Sequence, residues 1–137
     1  MSNEDVKQLL VDQREIALKL AVDFKGFLSI ESTQHSPILP FPLSDITLKE
    51  RILLELGTRY LTYSGGLQNE PALSRETLRS RTRGSDSGIR GTLSKLRTDR
   101  LVETSDMGDQ ITIEGLLELR KILARLKQEH QGKESLR

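Results

Sequence analysis

The chain has no cysteine and no tryptophan, and only two histidines, three phenylalanines and two tyrosines in 137 residues. Without cysteine there is no disulfide framework, no thiolate-bound zinc and no thiol nucleophile. With two histidines, a metal site would need clustered carboxylates, and the acids are scattered, so no metal is expected. Every apolar run is far shorter than the ~18 residues of a membrane span. The opening Met-Ser-Asn-Glu-Asp is acidic where a secretory leader is basic, so an intracellular, cytoplasmic protein without membrane attachment is expected. No phosphate-binding Gly-x-x-x-x-Gly-Lys-Ser/Thr run occurs, and Gly84, Gly88 and Gly91 follow no strand, which argues against a dinucleotide site. His35 lies in a proline-rich stretch and His130 in a polar tail, and both read as solvated. We expect no enzyme and no cofactor.

Charge of one sign is also scarce overall, since the net charge is +1. Its distribution is uneven. Between Ser74 and Arg100 lie eight bases (Arg75, Arg79, Arg81, Arg83, Arg90, Lys95, Arg97, Arg100) and three acids (Glu76, Asp86, Asp99), a local charge of +5. Residues 1–46 carry −3, residues 47–73 balance, and residues 101–137 carry −1. A basic segment in a slightly acidic chain suits an anion-binding face, or else a solvated arginine-rich helix.

Hydrophobic periodicity divides the chain into four segments. Residues 1–30 predict a helix from Asn3 to about Leu28, capped by Asn3, with Val6, Leu9, Leu10, Ile16, Ala17, Leu20, Ala21 and Phe24 on one face. Residues 31–46 predict a linker lying on the body, because Pro37, Pro40 and Pro42 remove backbone donors and fix φ. Residues 47–113 begin with a capping box, Thr47 to Glu50, and a helix that Gly65-Gly66 stops. Two short helices follow. One is capped by Ser74 and runs to about Arg83; the other is capped by Ser85, buries Ile89, Leu93 and Leu96, and ends near Arg100. Residues 101–104 and 110–113 predict a β-hairpin around a turn at Ser105–Asp109. Residues 114–137 predict a last helix to about Glu129 and a polar tail. The fold expected is mainly α with one small hairpin.

The stretch Leu73-Ser-Arg-Glu-Thr-Leu78-Arg-Ser-Arg-Thr82-Arg-Gly-Ser85-Asp-Ser87-Gly-Ile89-Arg-Gly-Thr-Leu93-Ser-Lys-Leu96-Arg-Thr-Asp-Arg-Leu101-Val102-Glu103 resembles the winged helix-turn-helix family of prokaryotic transcriptional regulators. The resemblance covers roughly residues 48–113. It implies a winged helix-turn-helix flanked by terminal helices, double-stranded DNA as partner and a nucleoid-associated location. Arg83 departs from the family's common turn glycine, Gly84 from its small apolar residue, and Arg100 from the glycine before the Leu-Val pair. In such a fold the second short helix enters the major groove and the first crosses the backbone. With Ile89, Leu93 and Leu96 inward, Ser87, Gly91, Ser94, Lys95 and Thr98 face out, with Arg90 and Arg97 beside them. Those residues and Ser85 are the candidate DNA contacts, with Arg75, Arg79, Arg81 and Arg83 placed for phosphates. The acids Glu103, Asp106 and Asp109 predict a wing that contributes little.

The terminal helices bear on assembly. Leu116, Leu119, Leu123 and Leu126 step by 3, 4 and 3, as in an a/d seam, and Leu9, Ile16 and Leu20 form a matching stripe. Helices flanking this kind of domain commonly build dimers in the family it resembles, so a homodimer is expected through these residues; the alternative is that both helices pack on the body. Two further functions stay open: a winged-helix adaptor that docks proteins, and a low-specificity chromatin or plasmid-partition protein. Nothing in the sequence names a small-molecule effector.

Overall fold

Thr47 ends the segment before the central helix by accepting a hydrogen bond from the Glu50 N–H (3.2 Å), while the Glu50 carboxylate accepts one from the Thr47 N–H (2.9 Å). This reciprocal cap satisfies two backbone donors that a helix start would otherwise leave free. A computed structural model describes residues 12–134, with side chains to residue 130. Its elements are α1 (Gln13–Phe24), β1 (Ser29–Ile30), β2 (Pro37–Ile38), a 3₁₀ turn (Leu43–Asp45), α2 (Leu48–Ser64), α3 (Arg75–Thr82), α4 (Asp86–Thr98), β3 (Val102–Ser105), β4 (Gly108–Ile111) and α5 (Ile113–Glu134). The architecture is mainly helical with two small antiparallel hairpins. Among the described residues no helix is long and apolar enough to cross a membrane.

The α2 helix is the hub. Its residues 52–58 are buried without interruption, and it packs against α1, α3, α4, α5 and β4. Gly57 leaves room for Leu119 of α5. A Cβ there would lie 2.2 Å from a Leu119 methyl, so any larger residue would push α5 away. Two carboxylates of α2 are buried with partners. Glu50 meets Arg125 of α5, and Glu55 accepts from the Ser36 hydroxyl (2.8 Å) and faces Arg81 (3.4 Å).

The terminal helices pack on this hub rather than away from it. Ile16, Leu20 and Phe24 of α1 and Leu116, Leu119, Leu123 and Leu126 of α5 are all buried in the same core as α2 and α4. Asp23 and Arg120 clamp α1 to α5 (2.6 Å). This corrects the expected dimer seam: Ile16, Leu20, Leu116, Leu119, Leu123 and Leu126 face the chain's own core, so they are closed to a second copy. An a/d stripe states that a face is buried, not what buries it. Leu9 and the expected cap Asn3 lie outside the described residues. Within them, Asp12 caps α1 by accepting from the Arg14 N–H (2.9 Å), and the helix ends at Phe24, before Gly26 (φ 75°).

The four segments read from the sequence share one core, which runs from Ile16 to Leu126. The expected linker is part of it. Phe41 and Ile46 are buried, and residues 29–38 form a hairpin pairing Ser29 with Ile38 and Ile30 with Pro37. Pro37 is tolerated because the strand is two residues long and lies at an edge, where no ladder donor is missed. The two histidines are also less solvated than expected. The His130 ring stacks on Phe41 (centroids 4.5 Å apart) because α5 continues past Glu129, and His35 Nδ1 lies 2.6 Å from Gln68 Nε2.

Candidate nucleic-acid interface

Ser74 and Ser85 cap α3 and α4 by accepting from the Thr77 N–H (3.1 Å) and the Gly88 N–H (3.0 Å). Both caps stand where the sequence puts them. Between the helices Arg83 does not continue α3, as expected, but caps it in the left-handed region (φ 58°, ψ 27°). Leu78, Thr82, Ile89, Leu93 and Leu96 are buried, which fixes the two helices against α2 and against each other. The remaining face of α4 is open: Ser87, Arg90, Gly91, Ser94, Lys95, Arg97 and Thr98 are all exposed.

The two glycines of α4 differ. A Cβ at Gly88 would sit 2.9 Å from Ser85 Oγ and 3.4 Å from a Leu48 methyl, so its smallness serves packing and the cap. A Cβ at Gly91 would meet nothing within 4 Å. Inside a helix, glycine costs about 1 kcal/mol relative to alanine, and no packing among the described residues offsets that at Gly91.

The eight bases of the basic segment separate into three groups. Arg79, Arg83, Lys95 and Arg100 are exposed, and their side chains have no hydrogen-bond or ion-pair partner among the described residues. Arg75 and Arg90 share Asp86, at 3.9 and 3.2 Å, with all three side chains at least half exposed. Such pairs are worth about 0–1 kcal/mol and exchange readily for another anion. Arg81 and Arg97 are held by buried carboxylates, although Arg97 stays 40% exposed. Arg81 reaches the nearly buried Glu55 and donates to the Gln34 carbonyl (2.8 Å). Arg97 grips Asp109 with two donors (3.0 and 3.1 Å). These two were expected to face outward, and it is their carboxylate partners, distant in sequence, that turn them. Burial raises the Glu55 carboxyl above the usual glutamate range, against the opposing pull of Ser36 and Arg81.

The β3–β4 hairpin is tighter than expected. Ser105 pairs with Gly108, leaving only Asp106 and Met107 in the turn. Asp109 therefore lies in a strand, not the turn. It is buried, it also accepts from the Thr104 hydroxyl (3.2 Å), and its backbone exchanges two hydrogen bonds with Leu73 (2.9 and 3.0 Å). Glu103 accepts from Gln110 (2.7 Å). The acidic tip is thus reduced to Asp106, beside an exposed Met107. Asp109 fastens three pieces: the strand-like residue before α3, the end of α4 and the hairpin. Sequence reading missed this role and that of Glu55. An acid opposite an arginine 12 or 26 residues away leaves no local signature. Comparison with protein-family models, with curated proteins and with solved structures returns no match for this chain.

Proposed function

We propose that α3, the turn at Arg83-Gly84, α4 and the β3–β4 hairpin form a winged helix-turn-helix, and that the protein is a DNA-binding transcriptional regulator. One observation carries the reading. The open face of α4 bears short polar residues and a glycine, and cations without internal partners stand around it. A helix about 10–12 Å across fits the major groove, which is about 12 Å wide. Ser87, Gly91, Ser94 and Thr98 then face base edges, while Arg79, Arg83 and Lys95 face phosphates. Arg75 and Arg90 join them by releasing Asp86. Phosphate contacts supply affinity and salt sensitivity; base contacts supply sequence choice. Arg81 and Arg97 act differently from their neighbours: they hold α3 and the hairpin in place. The bridge between Leu73 and Asp109 ties the segment before α3 to the hairpin.

The test is anisotropy of a labelled mixed-sequence duplex titrated with the protein at about 50 and about 200 mM salt, where phosphate-driven binding falls steeply. Tight binding at low salt that weakens steeply supports the reading. No binding at the lower salt overturns it in favour of the protein-docking adaptor. Binding of many unrelated duplexes with equal affinity favours the low-specificity chromatin or partition role. A homodimer, where one forms, has to use a surface other than the buried leucine stripes.

A further inference from the structure

Three non-glycine residues of the described chain have positive φ: His35 (57°), Arg83 (58°) and Arg100 (62°). For an L-residue the left-handed region costs about 1–2 kcal/mol, and glycine is the usual occupant. The ring of His35 is bonded to Gln68. The other two cases are unlike it. Arg83 and Arg100 are exposed, and their side chains have no partner among the described residues. They also bracket one helix. Arg83 precedes the Ser85 cap of α4, and Arg100 follows its last residues, with its N–H bonded to the Arg97 carbonyl (3.0 Å) and its own carbonyl accepting from Thr112 (2.7 Å). The backbone at Arg100 is thus fixed by the turn into β3, whatever the side chain does.

We infer that Arg83 and Arg100 are paired phosphate clamps, one at each end of α4. The inference rests on the DNA-binding reading above and adds Arg100 to it. The geometry suits the role. Seated lengthwise in a major groove about 12 Å wide, the 13 residues of α4 run for about 20 Å, with backbone phosphates beside both ends. An arginine fork at either end matches a phosphate. Left-handed backbone at each end holds a cation just beyond the helix, clear of the α4 side chains. Among the described residues no side-chain hydrogen bond or ion pair rewards an arginine over a glycine at either position.

The experiment uses the full chain with Arg83→Gly, Arg100→Gly and the double variant. Each is read by thermal unfolding and by the salt dependence of duplex binding. Lys19→Ala, on the exposed side of α1, removes the same unit of charge as a control. Relief of the left-handed strain raises the melting temperature by a few degrees per substitution, about 2–6 °C. Loss of one phosphate contact makes the log–log salt slope shallower by about 0.9 each, and by about 1.8 in the double variant. Lys19→Ala leaves the slope unchanged. Glycine variants that are more stable yet keep the wild-type slope overturn the clamp while leaving the DNA-binding reading intact. A slope that falls equally in Lys19→Ala overturns it too, because general charge then explains the loss. A wild-type chain that binds no duplex overturns both.

Discussion

The arginines of the helical body and those around α4 are the same side chain put to different use. On α2 and α5, Arg51, Arg59, Arg120 and Arg125 all have partners: the Ile46 and Thr82 carbonyls, the Glu70 carbonyl and carboxylate, Asp23 and Glu50. Around α4, among the described residues, Arg81 and Arg97 are held by buried carboxylates, Arg75 and Arg90 share the exposed Asp86, and Arg79, Arg83 and Arg100 have no partner. The difference follows from the supply of acids. The body interleaves both signs, whereas residues 74–100 hold eight bases and three acids. The cations in excess meet no carboxylate among the described residues. A cluster of cations without internal partners is what an external anion requires.

The comparison can be broken in several places. The largest effect belongs to the body. Leu119→Glu puts a carboxylate into a fully buried site against Gly57, and we expect a loss above about 4 kcal/mol, seen as a missing cooperative transition in circular dichroism. A folded variant that merely changes its sedimentation would return Leu119 to a dimer seam. Next, Arg81→Ala strands Glu55 and should cost about 3 kcal/mol in urea unfolding, whereas Arg79→Ala should fall within about 0.5 kcal/mol of wild type and act on duplex binding alone. Equal costs for the two would erase the division between fixed and idle arginines.

Asp109→Asn sharpens the middle of the range. It removes the charge that orients Arg97, with an expected cost of about 2 kcal/mol and faster amide exchange across residues 102–111, leaving α1 and α5 protected. Exchange that quickens everywhere would mean that the hairpin is not fastened separately. The pH response isolates Glu55. Burial raises its carboxyl above the ordinary 4.5, so the folded chain keeps that proton to higher pH than the unfolded chain does. Stability from this group is full below 4.5 and declines as pH rises through the raised value. Glu50 runs the other way: burial pushes it up, but the Thr47 N–H and Arg125 outweigh burial and hold it below 4.5, so its contribution is lost as pH falls. Glu55→Gln should therefore flatten the decline that sets in above pH 4.5 and leave the acid limb in place. The smallest effect is Gly91→Ala, which should stabilise α4 by about 0.5–1 kcal/mol while weakening duplex binding. An alanine that stabilises without weakening binding would place the duplex elsewhere.

Local signals read true in this chain. The caps at Thr47, Ser74 and Ser85 and the buried triad Ile89, Leu93 and Leu96 stand where side-chain chemistry and helical period place them. What the sequence hid is long-range. Nothing near Leu116 or Leu123 tells whether the stripe meets its own chain or another, because burial has the same pattern in both cases. Asp109 read as a turn residue because a five-residue turn and a two-residue turn differ by where Gly108 falls, not by composition. Arg81 looked like its neighbour Arg79 until Glu55, 26 residues away, was brought beside it.

The central claim is that the idle cations, not the basic segment as a whole, bind the duplex. The most direct measurement is the log–log salt slope of duplex binding for wild type, for Arg79→Ala with Lys95→Ala, and for Arg97→Ala. Four idle cations predict a wild-type slope of about −3.6, reaching about −5.4 if Arg75 and Arg90 join. The Arg79 and Lys95 pair should flatten it by about 1.8, and Arg97→Ala should leave it unchanged. A slope that responds to Arg97 and ignores Arg79 and Lys95 would contradict the account.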